Sequence, residues 1–217
     1  MKAGKRFVPG LIIGISMFIC LAGLLAHPSE SQAAAYSILH NFAGGADDGF
    51  QPYFGGPVLS GSTLYGMTQG GRTGPGPPPY HYAGTLYRIN TDGNGYQILH
   101  DFGYPPDGFD GTSPRGSLCL LGSTLYGFTT YGGGSNGGTV FKIDTSGSGY
   151  EILKRFSTAT DQCNPYGPPV ISGSRLYGMH SSESTGLKGA IFSMNLEGGG
   201  YQIMHEFAGK PDDGRAP

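Results

Sequence analysis

The chain has 217 residues, of which 41 are glycine and 16 proline, with 13% charged residues and a formal net charge of −2. So few clustered Lys and Arg exclude a nucleic-acid-binding reading, because neutralising a phosphate backbone needs a basic patch. Gly and Pro make up about a quarter of the chain, close to low-complexity composition, yet 14 Tyr and 12 Phe recur at fixed spacings, which argues for a packed core over disorder.

In chain order, Lys2, Lys5 and Arg6 precede a mostly apolar stretch at residues 11–26, and Ala33-Ala34-Ala35 supplies small residues for cleavage. This pattern reads as a secretory signal peptide over residues 1–35. The apolar stretch is shorter than the ~20 residues that span a bilayer, so cleavage is favoured over a retained anchor, and membrane contact is expected only through the signal before cleavage. Cys20 follows Met17-Phe18-Ile19 and lacks the small residue that precedes a lipidated cysteine. Removing residues 1–35 takes away three basic groups and Glu30, leaving an acidic chain of net charge −4. The expected location is therefore secreted, extracellular or at the cell surface.

The mature chain opens with Tyr36-Ser37-Ile38-Leu39-His40-Asn41-Phe42, and the pattern returns from Tyr96 to Phe102, from Tyr150 to Phe156 and from Tyr201 to Phe207. Its aromatic and β-favouring residues between glycines predict a strand. Strand periodicity puts its Tyr, Ile and Phe on one face and the Leu or Met on the other, which predicts burial between packed sheets. A polar segment follows: Asp48-Gly49-Phe50-Gln51-Pro52, then Asp110-Gly111-Thr112-Ser113-Pro114, Asp161-Gln162-Cys163-Asn164-Pro165 and Asp213-Gly214-Arg215-Ala216-Pro217. Asp bonding its own backbone, Gly and Pro predict a turn.

Next comes Leu59-Ser60-Gly61-Ser62-Thr63-Leu64-Tyr65-Gly66, repeated around Leu125-Tyr126-Gly127 and Leu176-Tyr177-Gly178, with tyrosines 61 and 51 residues apart. Gly-Ser makes a hairpin reversal between two strands. The return strand runs into Gly70-Gly71 or Gly132-Gly133, whereas the third copy has Ser182-Glu183. A loop of variable length follows, long and proline-rich at residues 72–83 and short at 134–137. A last strand closes the unit as Gly84-Thr85-Leu86-Tyr87-Arg88-Ile89, Gly138-Thr139-Val140-Phe141-Lys142-Ile143 and Gly189-Ala190-Ile191-Phe192-Ser193-Met194. No segment after the signal carries a helical period.

The expected fold class is all-β, with four short antiparallel strands per unit, about the size of a propeller blade. Tyr65-Gly66 running to Gly70-Gly71 and on to Leu86-Tyr87-Arg88-Ile89 resembles a kelch blade. The combined pattern of Leu-Tyr-Gly, Gly-Gly, Gly-Thr-Val-Phe-Lys-Ile, Tyr-x-Ile-Leu-His-x-Phe and Asp-Gly-x-x-Pro is similar to the bacterial tandem-repeat family called GloVer, of "choice-of-anchor" surface proteins, across residues 36–217. The resemblance implies an exported repeat protein with kelch-like β-propeller blades. The repeats divide at about 36–95, 96–149, 150–200 and a partial 201–217. Three full repeats plus a partial one fall short of the four to eight blades that close a ring, so an incomplete propeller is expected: one completed by blades beyond Pro217, one closed by self-association through its open ends, or an open, curved array.

Candidate chemistry is sparse. His40, His100 and His205 share one repeat position, held by Lys154 in the other copy, and read as an inherited polar position before a metal site. Asp47, Asp48, Asp107, Asp110, Asp212 and Asp213 lack the spacing of a calcium loop. Cys119 and Cys163 occupy non-equivalent positions, and nothing in the sequence brings them to bridging distance. Tyr65, Tyr126 and Tyr177 read as packing between blades before sugar contacts. The loop at residues 75–82, proline-rich with Tyr80, His81 and Tyr82, is the candidate binding surface. No nucleophile elbow, zinc-protease motif or phosphate loop occurs, so no catalytic residue, metal or cofactor is expected. The expectation is a non-catalytic binding module or scaffold for an extracellular glycan or protein; the alternative is a propeller-type glycosidase or lyase with its site on the variable loops.

Overall fold

The computed structural model describes residues 36–44, 47–71, 83–103, 110–158, 163–181, 189–208 and 213. The signal sequence, the loop with Tyr80, His81 and Tyr82, and Asp107, Asp161 and Asp212 lie outside the described residues. The described chain is all-β, built from thirteen strands in three antiparallel sheets. The first sheet runs β1 (Val58–Ser60), β2 (Thr63–Thr68), β3 (Thr85–Asn90), β4 (Gln97–Asp101). In the second, β5 (Gly111–Pro114) and β6 (Cys119–Leu121) both pair with β7 (Thr124–Gly132), followed by β8 (Asn136–Asp144) and β9 (Glu151–Ser157). The third runs β10 (Pro165–Ser172), β11 (Arg175–His180), β12 (Ala190–Asn195), β13 (Gln202–Glu206).

Each sheet joins three strands of one sequence copy to the Tyr-x-Ile-Leu strand that opens the next copy. The repeat boundaries at residues 96, 150 and 201 therefore fall between the third and fourth strands of a sheet. The first two strands meet through Gly-Ser loops, as Ser60 pairs Thr63, Leu121 pairs Thr124 and Ser172 pairs Arg175.

The Leu-Tyr-Gly motif fills the second strands. Its glycine lies directly across from an aromatic residue of the third strand: Gly66 from Tyr87, Gly127 from Phe141 and Gly178 from Phe192. The ring occupies the space a side chain at that glycine would need. Two of the three tyrosines do the packing expected of them, while Tyr177 is half-buried and joins neither core. Tyr65 joins Met67, Leu86, Phe102, Leu118, Leu125, Phe141 and Ile143 in a core between the first and second sheets. Tyr126 joins Phe128, Val140, Phe156, Leu176, Phe192 and Met194 between the second and third. Close-packed apolar side chains from both sheets supply most of the stabilisation at each seam.

Three expectations need correction. Residues 36–42 form no strand; the segment carries a fourth-strand sequence, and the described residues offer it no third strand to pair with. The Asp-Gly-x-x-Pro segment is more than a turn. Its second copy is β5, an edge strand in register with β7, where the missing N–H of Pro114 costs no ladder bond.

The fourth strands, finally, are not buried on both faces. β13 is exposed throughout, with Met204 at 53%. Each carries a bulge where the Leu or Met sits, since Leu86 and Tyr87 pair with His100 and Ile98, Val140 and Phe141 with Lys154 and Ile152, and Ile191 and Phe192 with His205 and Ile203. One extra residue reverses the alternation of faces. Ile98 and Phe102 therefore point to opposite sides of the first sheet, where simple alternation had placed them together.

Candidate functional site

The bulge has a direct consequence for the repeat-locked polar residues. His100 and Phe102 turn toward the second sheet, where the His100 ring stacks on Tyr150, with centroids 3.7 Å apart and an interplanar angle of 15°. Phe102 meets Phe141 at 5.1 Å. The Tyr150 hydroxyl donates to Asp110 Oδ1 at 2.6 Å, and His100 Nε2 lies 3.1 Å from Asp110 Oδ2. A carboxylate only accepts, so the His100 proton sits on Nε2. Asp110 also accepts the amides of Gly103 and Gly111, at 3.4 and 2.8 Å.

The same arrangement appears one copy earlier. His40 stacks on Tyr96 at 3.9 Å, its Nε2 is 3.0 Å from Asp48 Oδ1, and Asp48 Oδ2 accepts the Ala43 amide at 2.7 Å. At the far end, His205 Nε2 reaches Asp213 Oδ1 at 3.2 Å and the Ala208 amide reaches Oδ2 at 2.6 Å. The first two sets clamp successive repeat units through the stacked tyrosine, and no three potential metal-ligating side chains cluster among the described residues.

The third seam substitutes different chemistry in concert. Lys154 stands where histidine stood and lies 4.2 Å from the centroid of the Tyr201 ring. The buried hydroxyl pairs Thr68–Thr85 and Thr129–Thr139, at 2.7 and 2.8 Å, become His180 opposite Ala190. His180 is fully buried, stacks on Phe192 and meets the Tyr201 hydroxyl at 3.2 Å. A cation over the next unit's tyrosine ring stands where the other seams stack a histidine on it, so the contact is kept with a different group.

The electrostatics follow from these contacts. Burial alone would raise the Asp110 pKa, but hydrogen bonds from His100 and Tyr150 outweigh it and hold the carboxyl below its usual range. For Asp48 burial is likewise overcome, by the Ala43 amide, His40 and Tyr96. Burial, reinforced by the neighbouring carboxylate, pushes Tyr150 and Tyr96 well above the ordinary phenol value.

Depressed carboxylates contribute stability above their unfolded pKa that is lost as pH falls through the folded one. Raised tyrosines contribute stability below about pH 10 that is lost as pH climbs. Urea midpoints measured against pH should therefore show a plateau between about pH 5 and 9, with declines on both sides. The Tyr150→Phe variant should show a shallower alkaline decline; an alkaline limb identical to that of the parent would contradict the clamp.

The first strands come together at a second place, β1 against β6 and β6 and β7 against β10. Gln51, Ser113 and Asn164, each preceding a proline, hold positive φ angles of 60°, 53° and 62°. Non-glycine residues pay about 1 kcal/mol or more for this conformation, and here it recurs in all three copies whose residue before the proline is described. The kink sets the direction of the residue after the proline: Tyr53, Arg115 and Tyr166. Beyond these, Gly55 and Gly116 press against the backbones of Gly116 and Gly167 respectively.

Arg115 is the copy-specific residue of this set. Its guanidinium carbon lies 5.1 Å from the Phe54 ring centroid and 5.4 Å from that of Tyr131. Phe54 in turn meets Tyr166 edge-on at 6.2 Å. The sequence reading passed over Arg115. The available signal was a cation at the one position after Asp-Gly-x-x-Pro where two of the other copies carry tyrosine. Cys119 and Cys163 are not joined by a disulfide, the first lying on β6 and the second buried in the core between the second and third sheets.

A sequence model of the Gloeobacter/Verrucomicrobia repeat matches residues 28–217. No curated protein matches the sequence. Similar solved structures include a chain of the nidogen/laminin complex, at 14% identity and TM-score 0.48, covering 74% of this chain and 49% of that one. A putative TolB from Agrobacterium tumefaciens is 11% identical, with TM-score 0.48 and coverages of 78% and 52%. TolB from Acinetobacter baumannii is 12% identical, with TM-score 0.46 and coverages of 73% and 34%. This chain spans about half or less of the length of each.

Proposed function

The chain belongs to the Gloeobacter/Verrucomicrobia repeat family, and from that premise we propose that it is an exported, non-catalytic repeat protein that presents a binding surface or scaffold outside the cell. In this reading the three sheets are consecutive kelch-like propeller blades, and residues 1–35 are the signal that directs export. The observation that carries it is the use made of the repeat-locked polar residues. His100, Asp110 and Tyr150 are spent on one another across a seam. That leaves recognition to the parts that differ between copies, the variable loops and the kinked segments after the prolines.

The test is a glycan array run alongside hydrolysis assays on the protein recovered from the culture medium with Tyr36 as its first residue. Binding without turnover is the expected result. Turnover of any bound glycan would move the assignment to a propeller-type carbohydrate-active enzyme. Retention in the cytoplasm with an unprocessed N-terminus would overturn export.

A further inference from the structure

Resting on the binding-module reading, we propose that Arg115 and the aromatic residues around it form a site for the carboxylate of an acidic sugar, a uronate unit of an extracellular polysaccharide.

Arg115 is held in an unusual state. Its planar guanidinium is within cation–π reach of Phe54, from the segment entering the first sheet, and of Tyr131 on β7. Its Nε is buried and has no hydrogen-bond partner among the described residues. No ion pair there involves it; those present join histidines to aspartates or Lys142 to Glu151 and Glu197. A buried donor on a charged group without an acceptor is costly to keep.

The fold does not require that cost. The equivalent residues Tyr53 and Tyr166 follow the same positive-φ residue and proline, so the backbone accepts a neutral aromatic at this position. Among these three copies, the one that carries the cation also clamps it between two rings. That combination is what an anion receptor needs: a donor fork fixed before the ligand arrives, so little side-chain freedom is lost on binding.

The surroundings select the kind of anion. The guanidinium fork matches a carboxylate bidentately. Tyr53 is 66% exposed, and Phe54, Tyr131 and Tyr166 are each only partly buried. Phe54 and Tyr131 lie against the cation, and Tyr53 and Tyr166 meet Phe54 at 6.3 and 6.2 Å, so apolar faces and phenol hydroxyls gather around it. A sugar ring offers C–H groups to such faces and hydroxyls to such phenols, and a uronate adds the carboxylate for Arg115. A bare inorganic anion would leave the aromatic surface unused. A lone charge in a protein of net charge −2 provides no long-range attraction for a polyanion in general, so recognition is local.

The probe is hexagalacturonate, titrated calorimetrically into the full mature protein at moderate salt, with its methyl-esterified form and a peptide ending in a free carboxylate as comparison ligands. Binding of hexagalacturonate with at least tenfold preference over the ester is expected. The Arg115→Tyr variant, which takes the residue of the other copies and so keeps the fold, should lose tenfold or more in affinity; Arg115→Lys, which keeps the charge but not the fork, should fall between. Equal affinity of parent and Arg115→Tyr would overturn the site. So would preference for the peptide carboxylate, which would make the ligand a protein terminus. Binding of neutral glycans on the array with none to hexagalacturonate would remove this site while leaving the binding-module reading intact. Silence toward every glycan would remove both.

Discussion

Replacing Gly116 by valine is expected to cost about 3–5 kcal/mol of folding stability, through backbone strain and overpacking together. Gly116 has φ +127°, a region L side chains rarely adopt, and a Cβ there would overlap the Gly167 backbone. The neighbour cannot yield as a flexible side chain would, because the overlapping atoms are main chain. The amide of Gly116 also donates to the Phe54 carbonyl at 3.0 Å, so moving the segment away breaks that bond between the first and second sheets. Gly122 provides the contrast. Its φ is +62°, but nothing lies within 4 Å of its Cβ position, so Gly122→Ala should cost only about 1 kcal/mol. Urea unfolding of the two variants measures the difference directly; similar losses at both positions would mean that the contact with Gly167 carries no weight.

The second large effect is at Asp110. Its carboxylate accepts from the Tyr150 hydroxyl, His100 Nε2 and the amides of Gly103 and Gly111. Asp110→Ala leaves four donors without that acceptor, in a place where its side chain is only 14% exposed. A loss of about 3 kcal/mol is expected, or roughly 6–12 °C in melting temperature for a chain of this size. The same substitution at Asp213 should cost less than about 1 kcal/mol, since its partner His205 is half exposed. Equal losses at the two sites would show that the Asp-to-backbone bonds dominate, and that the stack of histidine on the next unit's tyrosine adds nothing.

Much of this was legible in the sequence because the repeat displays each local rule several times. The Gly-Ser reversals, the Leu-Tyr-Gly strand and the Gly-Thr-Val-Phe-Lys-Ile strand all fall where turn chemistry and strand period put them, and Tyr65 and Tyr126 pack between sheets as read. The fourth strand was misread for a physical reason. A bulge leaves no mark in a period-two pattern, so Leu99 reads as an ordinary alternate residue although it is the extra one. The Asp-Gly-x-x-Pro segment was misread because proline and glycine argue for a turn, and only pairing with β7 makes it an edge strand. His180 carried no signal in the sequence, and Lys154 read only as a break in the repeat-locked histidine position, whereas in three dimensions both converge on Tyr201. Arg115 was missed because its meaning depends on Phe54, 61 positions away in the chain.

The bulge in each fourth strand also gives the array a polarity. A unit offers its tyrosine in one direction and its histidine and phenylalanine in the other, as Tyr96 meets His40 while His100 meets Tyr150. These two surfaces are complementary to each other and not to themselves. The third sheet presents the second kind, with Met179 39% exposed at the position whose equivalents Met67 and Phe128 are buried, and Val170 59% exposed where Val58 and Cys119 are half-buried. Any chain that covers it through the same contacts must therefore add head to tail. Such an interface is heterologous, so it generates rings or filaments, and a two-fold symmetric dimer cannot be built from it.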